Sequence, residues 1–367
     1  MHSQHIRIAV ASLFSLIATA AVSQAQISLE VLPDKRVTFR ITAPNATEVK
    51  AVGQFGEDLV LEKGEKDLWT GTTKEAVAPG VHEYGFSVDG LRTIDPRNRM
   101  IKPQRWPNTS ILHIPASPPA LWDLQDIPHG SVHQHDYQSK ALDGEWRSVV
   151  VYTPPKMEGP LPVLYLAHGY SDQQLTWTVH GKSHWIMDAL IASGKAVPMI
   201  IVMPDAHAIA PETRARSEFN VYGPENSTAF CNELMQDVIP LIEAQYPVRK
   251  EASARAFAGL SMGGHHALTV ALEHSQHFSQ IGAFSSAPPN DDAITAGLTK
   301  VDTINNNLKL LWVACGDKDF LFERNQEAHA AFEKAGLKHE YVITEGDDHS
   351  WPVWRRYLAE FAPKLFK

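Results

Sequence analysis

Ala254-Arg255-Ala256-Phe257-Ala258-Gly259-Leu260-Ser261-Met262-Gly263-Gly264-His265 is the stretch that decides how this 367-residue chain folds. Its first five residues read as a short buried strand, and His265 to Glu273 reads as a helix. Between them stands a Gly-x-Ser-x-Gly pattern centred on Ser261. Glycines on either side of the serine let the chain turn sharply from strand to helix. That turn lifts the Ser261 Oγ above a sheet and aims the Met262 N–H into the same space. The bare pattern is common in loops, so its chemical meaning comes from the strand before it and the helix after it.

The surroundings repeat the alternation. Val149-Val150-Val151-Tyr152, Val163-Leu164-Tyr165-Leu166, Met199-Ile200-Ile201-Val202 and Leu310-Leu311-Trp312-Val313-Ala314 are short apolar runs closed by Pro, Gly, His, Asp or Cys. Helical stretches separate the later ones. Glu233 to Tyr246 sets Leu234, Val238, Leu241 and Ile242 at helical spacing, with Pro240 expected to kink it locally. Leu321 to Ala335 is a second helix, which Gly336 stops. Trp351 to Phe366 is a third, with Trp354, Leu358 and Phe361 on one face. Residues 129–367 are therefore expected to form an α/β domain of the α/β-hydrolase type, a mostly parallel sheet covered on both faces.

Upstream the pattern changes. Residues 26–115 carry short alternating segments, such as Arg36-Val37-Thr38-Phe39-Arg40-Ile41 and Tyr84-Gly85-Phe86-Ser87-Val88, punctuated by Asn45-Ala46, Pro79-Gly80 and Asp89-Gly90. They predict a small β-sandwich. Pro118, Pro119 and Pro128 break any regular element over 116–128, which reads as a linker. Residues 1–25 hold Arg7, an apolar run from Ile8 to Val22, and small residues at Ser23 and Ala25. This is expected to be a cleavable signal peptide, giving a secreted or periplasmic protein that starts near Gln26.

A net charge of −9 offers no basic footprint for nucleic acid or an anionic membrane, and no later stretch is apolar enough to span a bilayer. Two cysteines, Cys231 and Cys315, are no disulfide framework, and Cys315 reads as a small buried hydrophobe.

A serine hydroxyl needs a base, and the base needs a carboxylate to hold its tautomer. In this fold the order along the chain is Ser, acid, His. His349 lies in the loop Glu345-Gly346-Asp347-Asp348-His349-Ser350, between a strand and the terminal helix, where the base belongs. The other histidines after Ser261 fall in helices or at their ends. Asp317 and Asp319, both just past the strand ending at Cys315, are the two candidate acids. Asp347 and Asp348 are too close to His349 to fold back on it, and Asp205 precedes the serine. The second oxyanion donor, beside Met262, is expected from His168-Gly169-Tyr170, where Gly169 permits close approach and the Tyr170 N–H points at the developing charge.

Several of these residues carry a resemblance. Ile127-Pro128-His129-Gly130, Tyr152-Thr153-Pro154-Pro155, His168-Gly169, Gly259 to Gly264, Cys315-Gly316-Asp317-Lys318-Asp319 and His349-Ser350-Trp351 with Trp354-Arg355 resemble the feruloyl esterases of carbohydrate esterase family 1. That family also includes acetylxylan esterases and resembles the esterase D group. The resemblance implies that the acid is Asp319, at the end of the Cys-Gly-x-x-Asp run. Asp67-Leu68-Trp69-Thr70-Gly71, Pro79-Gly80, Tyr84 to Gly90 and Asp95-Pro96-Arg97-Asn98 resemble the family 48 carbohydrate-binding module, an immunoglobulin-like early-set sandwich.

The expected activity is thus carboxylic-ester hydrolysis by Ser261, His349 and Asp319 with no metal or other cofactor. The implied partner is arabinoxylan or a small hydroxycinnamate ester. Trp177, Phe219, Tyr222 and Trp351 are candidate substrate contacts, while Trp69 reads as core. Acetylxylan esterase, siderophore trilactone esterase and a catalytically dead glycan-binding protein are the competing readings; the acidic chain argues against the siderophore and the intact Ser261, Asp319 and His349 set against the dead protein. Every candidate catalytic residue lies beyond the linker, so the second region alone is expected to turn over a small ester.

Overall fold

In the second region of the computed structural model eight strands form one sheet. They are β10 (Ser131–Ser139), β11 (Glu145–Thr153), β12 (Val163–Ala167), β13 (Ile200–Pro204), β14 (Arg255–Leu260), β15 (Gln280–Phe284), β16 (Leu310–Gly316) and β17 (Glu340–Thr344), in the order β10-β11-β13-β12-β14-β15-β16-β17. The pairs β10–β11 and β11–β13 are antiparallel; the rest are parallel. All five side chains of β12 are buried. Val163, Tyr165 and Ala167 pack into one core, Leu164 and Leu166 into another. Period-two side chains with both faces covered account for the unbroken apolar runs of the sequence. The structure describes residues 28–208 and 224–367, so the expected signal peptide at 1–25 lies outside it. Among the described residues no helix is long and apolar enough to cross a membrane.

Residues 29–114 hold two antiparallel sheets. One has four strands, β1 (Leu29–Val31), β2 (Val37–Thr42), β6 (Leu68–Thr72) and β5 (Glu62–Lys63). The other joins β4 (Leu59–Val60), β3 (Val49–Gly53), β7 (Gly80–Val88) and β8 (Leu91–Thr93), with β9 (Ser110–Ile114) also on β7. Their facing side chains, among them Val37, Phe39, Val49, Tyr84, Phe86 and Leu112, make one core. Trp69 belongs to it, and its indole N–H donates to the Ala43 carbonyl at 3.0 Å.

The stretch expected as one kinked helix runs in three parts. A helix Pro224–Glu233 passes through a π-helical turn, Leu234–Val238, into Ile239–Gln245. Backbone dihedrals stay helical at both joins, so Pro240 lies inside one continuous helix and follows directly on the π-helical turn, a widening of the kind that accommodates a missing N–H. The proline-rich connector has no regular element, yet it is no free spacer. Buried Asp123 accepts the Ala116 and Ala120 N–H groups at 2.9 and 2.8 Å and meets His113 Nε2 at 2.7 Å, while Leu121 and Trp122 pack on the core beneath β12.

One buried ion pair ties the antiparallel edge of the large sheet to the helix above it. Arg147 on β11 reaches Glu233 with Nε at 2.7 Å and Nη2 at 3.0 Å, both side chains almost wholly buried. Removing one partner strands the other charge away from water. Arg147→Ala is therefore expected to destabilise the fold by about 3–5 kcal/mol in urea denaturation. A loss below about 1 kcal/mol, the size of an exposed pair, would show that the pair is solvated in solution.

Candidate active site

The turn after β14 is held by close backbone contacts. Ser261 has φ 53° and ψ −112°, and the helix Met262–Glu273 starts at once. A Cβ on Gly259 would come 2.3 Å from the Gly263 carbonyl oxygen, and one on Gly263 would come 2.6 Å from that of Ala167. Only glycine lets the turn nest against β12. The Ser261 N–H donates to Phe284 O at 2.8 Å, and the Ser261 carbonyl accepts the His265 and Ala287 N–H groups at 3.0 and 3.2 Å. Met262, as the first helical residue, has an N–H with no acceptor in its own helix.

β12 lies between β13 and β14, so the strand order reverses there and leaves a crevice at the C-terminal strand ends. Gly169 and Tyr170 follow β12, Asp319 follows β16 and His349 follows β17. The fold brings Asp319 and His349 into line with Ser261. His349 Nδ1 is 2.8 Å from Asp319 Oδ2 and 3.0 Å from Oδ1, and His349 Nε2 is 3.0 Å from Ser261 Oγ. With Nδ1–H facing the carboxylate, Nε2 is left to accept the Ser261 hydroxyl proton. Burial would raise the Asp319 pKa; the His349 hydrogen bond and charge outweigh it and hold the carboxyl below its ordinary value. Asp317 is elsewhere, its Oδ1 accepting the Gly346 N–H at 2.7 Å in the loop that carries His349.

Above the line is a cleft of about 310 Å³. Ser261, His349, Tyr170, Phe320, Trp351 and Trp354 line it. The His349 ring sits between Phe320 and Trp354, at centroid distances of 4.5 and 5.0 Å. Phe320 is 75% exposed and Tyr170 39%. Trp106, also exposed, meets the edge of Tyr170 at 6.2 Å, and the Arg105 guanidinium lies over both rings.

The expected substrate contacts divide. Trp351 lines the cleft. Trp177 does not: it is fully buried, donates its indole N–H to Ala167 O at 3.0 Å, and supports Trp351 from behind. Phe219 and Tyr222 lie outside the described residues. The sequence reading missed Phe320, whose signal was its place one residue after Asp319. It also missed three residues of the first region. Gln54, Glu83 and Lys102 form part of the cleft wall, so residues on both sides of the connector line the cleft.

Among the described residues one group has metal-ligand composition. Ligand atoms of His168, Asp205 and His207 lie within 4.8 Å of one another. His168 Nε2 already accepts the Ala206 N–H at 2.9 Å, and Arg147 Nη1 is 3.3 Å from Asp205. A cation would have to displace that N–H and sit beside a guanidinium, so the donor set fits an internally neutralised cluster better than a metal.

Residues 139–365 match the family described as "Putative esterase". The chain is 32% identical over 340 residues to an endo-1,4-beta-xylanase/feruloyl esterase of Xylanibacter ruminicola. The match covers 90% of this chain and 44% of that protein, so the chain spans less than half of its relative's length. A solved ferulic acid esterase is 29% identical with a TM-score of 0.54, covering 65% of this chain and 98% of its own. An enterobactin esterase from Shigella flexneri, 18% identical, is alike in fold over 94% of this chain and 97% of its own, with a TM-score of 0.62.

The two aspartates can be separated by the reaction of Ser261 with a fluorophosphonate. Asp319→Asn turns the imidazole to the wrong tautomer and is expected to slow labelling by orders of magnitude, up to about ten-thousand-fold. Asp317→Asn is expected to label near the wild-type rate. The opposite ranking would assign the acid to Asp317.

Proposed function

The chain belongs to the esterase family that its residues 139–365 match, and we propose that it hydrolyses carboxylic esters, with hydroxycinnamoyl esters of arabinoxylan as its substrates. The observation that carries the reading is the unbroken line from Asp319 through His349 to Ser261 beneath an aromatic-walled cleft. Ser261 Oγ attacks the acyl carbonyl while His349 Nε2 takes its proton, and Asp319 stabilises the imidazolium. The Met262 and Tyr170 amides hold the oxyanion, each such donor supporting turnover by roughly a hundred- to a thousand-fold. The imidazolium then protonates the departing alcohol. Water, deprotonated by the same histidine, attacks the acyl-enzyme and releases the acid.

Phe320, Tyr170 and Trp351 support an aromatic acyl group over acetate, because a ring laid against aromatic side chains gains binding that a methyl cannot. The relative named as a xylanase and feruloyl esterase supports the same choice. For the first region we propose a glycan-facing role consistent with its likeness to carbohydrate-binding modules. A polar depression of about 540 Å³ on β3 and β7 shares Gln54 and Glu83 with the cleft, a path for a polymer attached to the bound ester. Export by the N-terminal signal peptide belongs to the same proposal, since arabinoxylan lies outside the cell.

Purified protein assayed on methyl ferulate, p-coumarate, caffeate, sinapate, a plain acetyl ester and acetylated xylan tests this. Ser261→Ala is expected to lower kcat by about a million-fold while leaving the fold intact, and methyl ferulate is expected to exceed the acetyl ester in kcat/KM. A variant retaining a tenth of the activity would remove Ser261 from the mechanism. Preference for acetylated xylan over every cinnamate would make the protein an acetylxylan esterase.

A further inference from the structure

A short segment of the first region is stitched to the loop that carries Tyr170. Gln104 and Asp172 form an antiparallel bridge, and the Arg105 N–H donates to Ser171 O at 2.8 Å. Gln173 Nε2 donates to Gln104 O at 3.1 Å, and the Thr176 hydroxyl donates to Pro103 O. The loop itself closes as a tight turn, the Asp172 N–H donating to Gly169 O at 3.2 Å with Tyr170 and Ser171 at its centre.

A buried set of charges lies beneath this seam. Lys102 Nζ is 2.9 Å from Glu83 Oε1 and 3.6 Å from Asp172 Oδ1, with Lys102 and Asp172 7% and 2% exposed. Glu83 Oε1 is also 3.3 Å from His180 Nε2. Burial drives the His180 pKa down to about 3, so this ring is neutral beside the carboxylate. The His180 carbonyl accepts from Arg355 Nη2 at 2.9 Å, and Arg355 stands on the helix that starts at Trp351, directly after the His349 loop. Glu83 and Lys102, from the first region, thus touch both walls of the cleft: the Tyr170 turn through Asp172, and the His349 side through His180 and Arg355.

We propose that Lys102 and Glu83 are positioning residues for ester hydrolysis, fixing the Gly169–Asp172 turn so that the Tyr170 N–H faces the oxyanion. The proposal rests on the hydrolytic reading above. An oxyanion donor acts only if it is aimed before the charge develops, and a backbone amide in a tight turn is aimed by whatever holds the turn. Asp172 is buried beside Gly169 and needs a cation; Lys102 supplies it from across the seam. Without Lys102 the turn keeps its backbone bridge to Gln104 but loses the charge beside Asp172, while Ser261, His349 and Asp319 keep all their own contacts.

The test uses the full chain with methyl ferulate, following kcat and KM, thermal midpoint and the rate of fluorophosphonate labelling of Ser261. Lys102→Met and Glu83→Gln are each expected to lower kcat and the labelling rate by about a hundred-fold, the scale of a misplaced reacting group, with KM within about twofold. Lys102→Arg, which keeps the cation, is expected to recover most of the loss. Lys50→Met, at an exposed pair, serves as the control. A loss that only tracks the unfolded fraction, a rise in KM with kcat unchanged, or wild-type kinetics would each overturn the proposal. If the wild type turned over no ester, the hydrolytic reading would fail by itself. The labelling rate, which needs the same oxyanion donors, would still decide whether Lys102 and Glu83 aim the turn.

Discussion

The site depends on keeping Ser261 at a positive φ that serine does not adopt readily. Holding a non-glycine residue there costs roughly 1–3 kcal/mol, and the surrounding structure has to over-determine it. It does so with backbone alone. The amide and carbonyl of Ser261 are both occupied by neighbouring chain, and the carbonyls of Ala167 and Gly263 press into space that only glycines leave open. The Ser261 side chain is thereby released from structural duty and free to meet His349. The same tight nesting sets Gly169 against Leu260, so the strand-to-helix turn and the Tyr170 turn are two sides of one contact.

Much of this was legible in the chain, for identifiable reasons. The pattern around Ser261 is local, and its flanking strand and helix are short-range signals. His349 could be found because the fold orders nucleophile, acid and base along the sequence. Asp317 and Asp319 could not be separated by spacing, since both sit on one turn after β16. What divides them is a contact with Gly346, some thirty positions away, which pairs Asp317 with its own loop. Trp177 was misjudged because an aromatic residue just after a functional loop reads the same whether it faces a cleft or a core. Its indole N–H, spent on Ala167 O, settles the matter in three dimensions. Glu83 and Lys102 were invisible for a simpler reason. Glu83, a charged residue in a β segment, reads as solvent-facing, Lys102 stands in an irregular stretch between β8 and β9, and their partners Asp172 and His180 lie far along the chain.

Two buried ionic groups use different logic. Arg147 is matched by Glu233 in a two-pronged pair and gives further donors to the Asp205 and His207 carbonyls, so each prong is satisfied within one region. The Lys102 group is shared between regions and less evenly matched. Asp172 Oδ1 has no hydrogen-bond partner, the Lys102 ammonium being 3.6 Å away. Burial raises the Asp172 pKa, and the neighbouring Lys102 charge counters only part of that rise. Apolar side chains of similar volume would seal such a seam at less desolvation cost. What they could not supply is a preferred register between Gln104 and Asp172, and register is what aims the amides of the Gly169–Asp172 turn.

The boundary drawn from composition therefore differs from the boundary of the chemistry. Proline enrichment over 116–128 marks where regular structure stops, and it reads as a spacer because nothing local says where it docks. Asp123 folds that segment back and Trp122 seats it on the core under β12, the strand whose end carries Gly169 and Tyr170. The two sheets of the first region are then held at two places, by the connector and by the segment from Lys102 to Trp106. A reaction whose largest electrostatic contribution comes from amides aimed in advance gains from such a support even though none of its reacting atoms belongs to it.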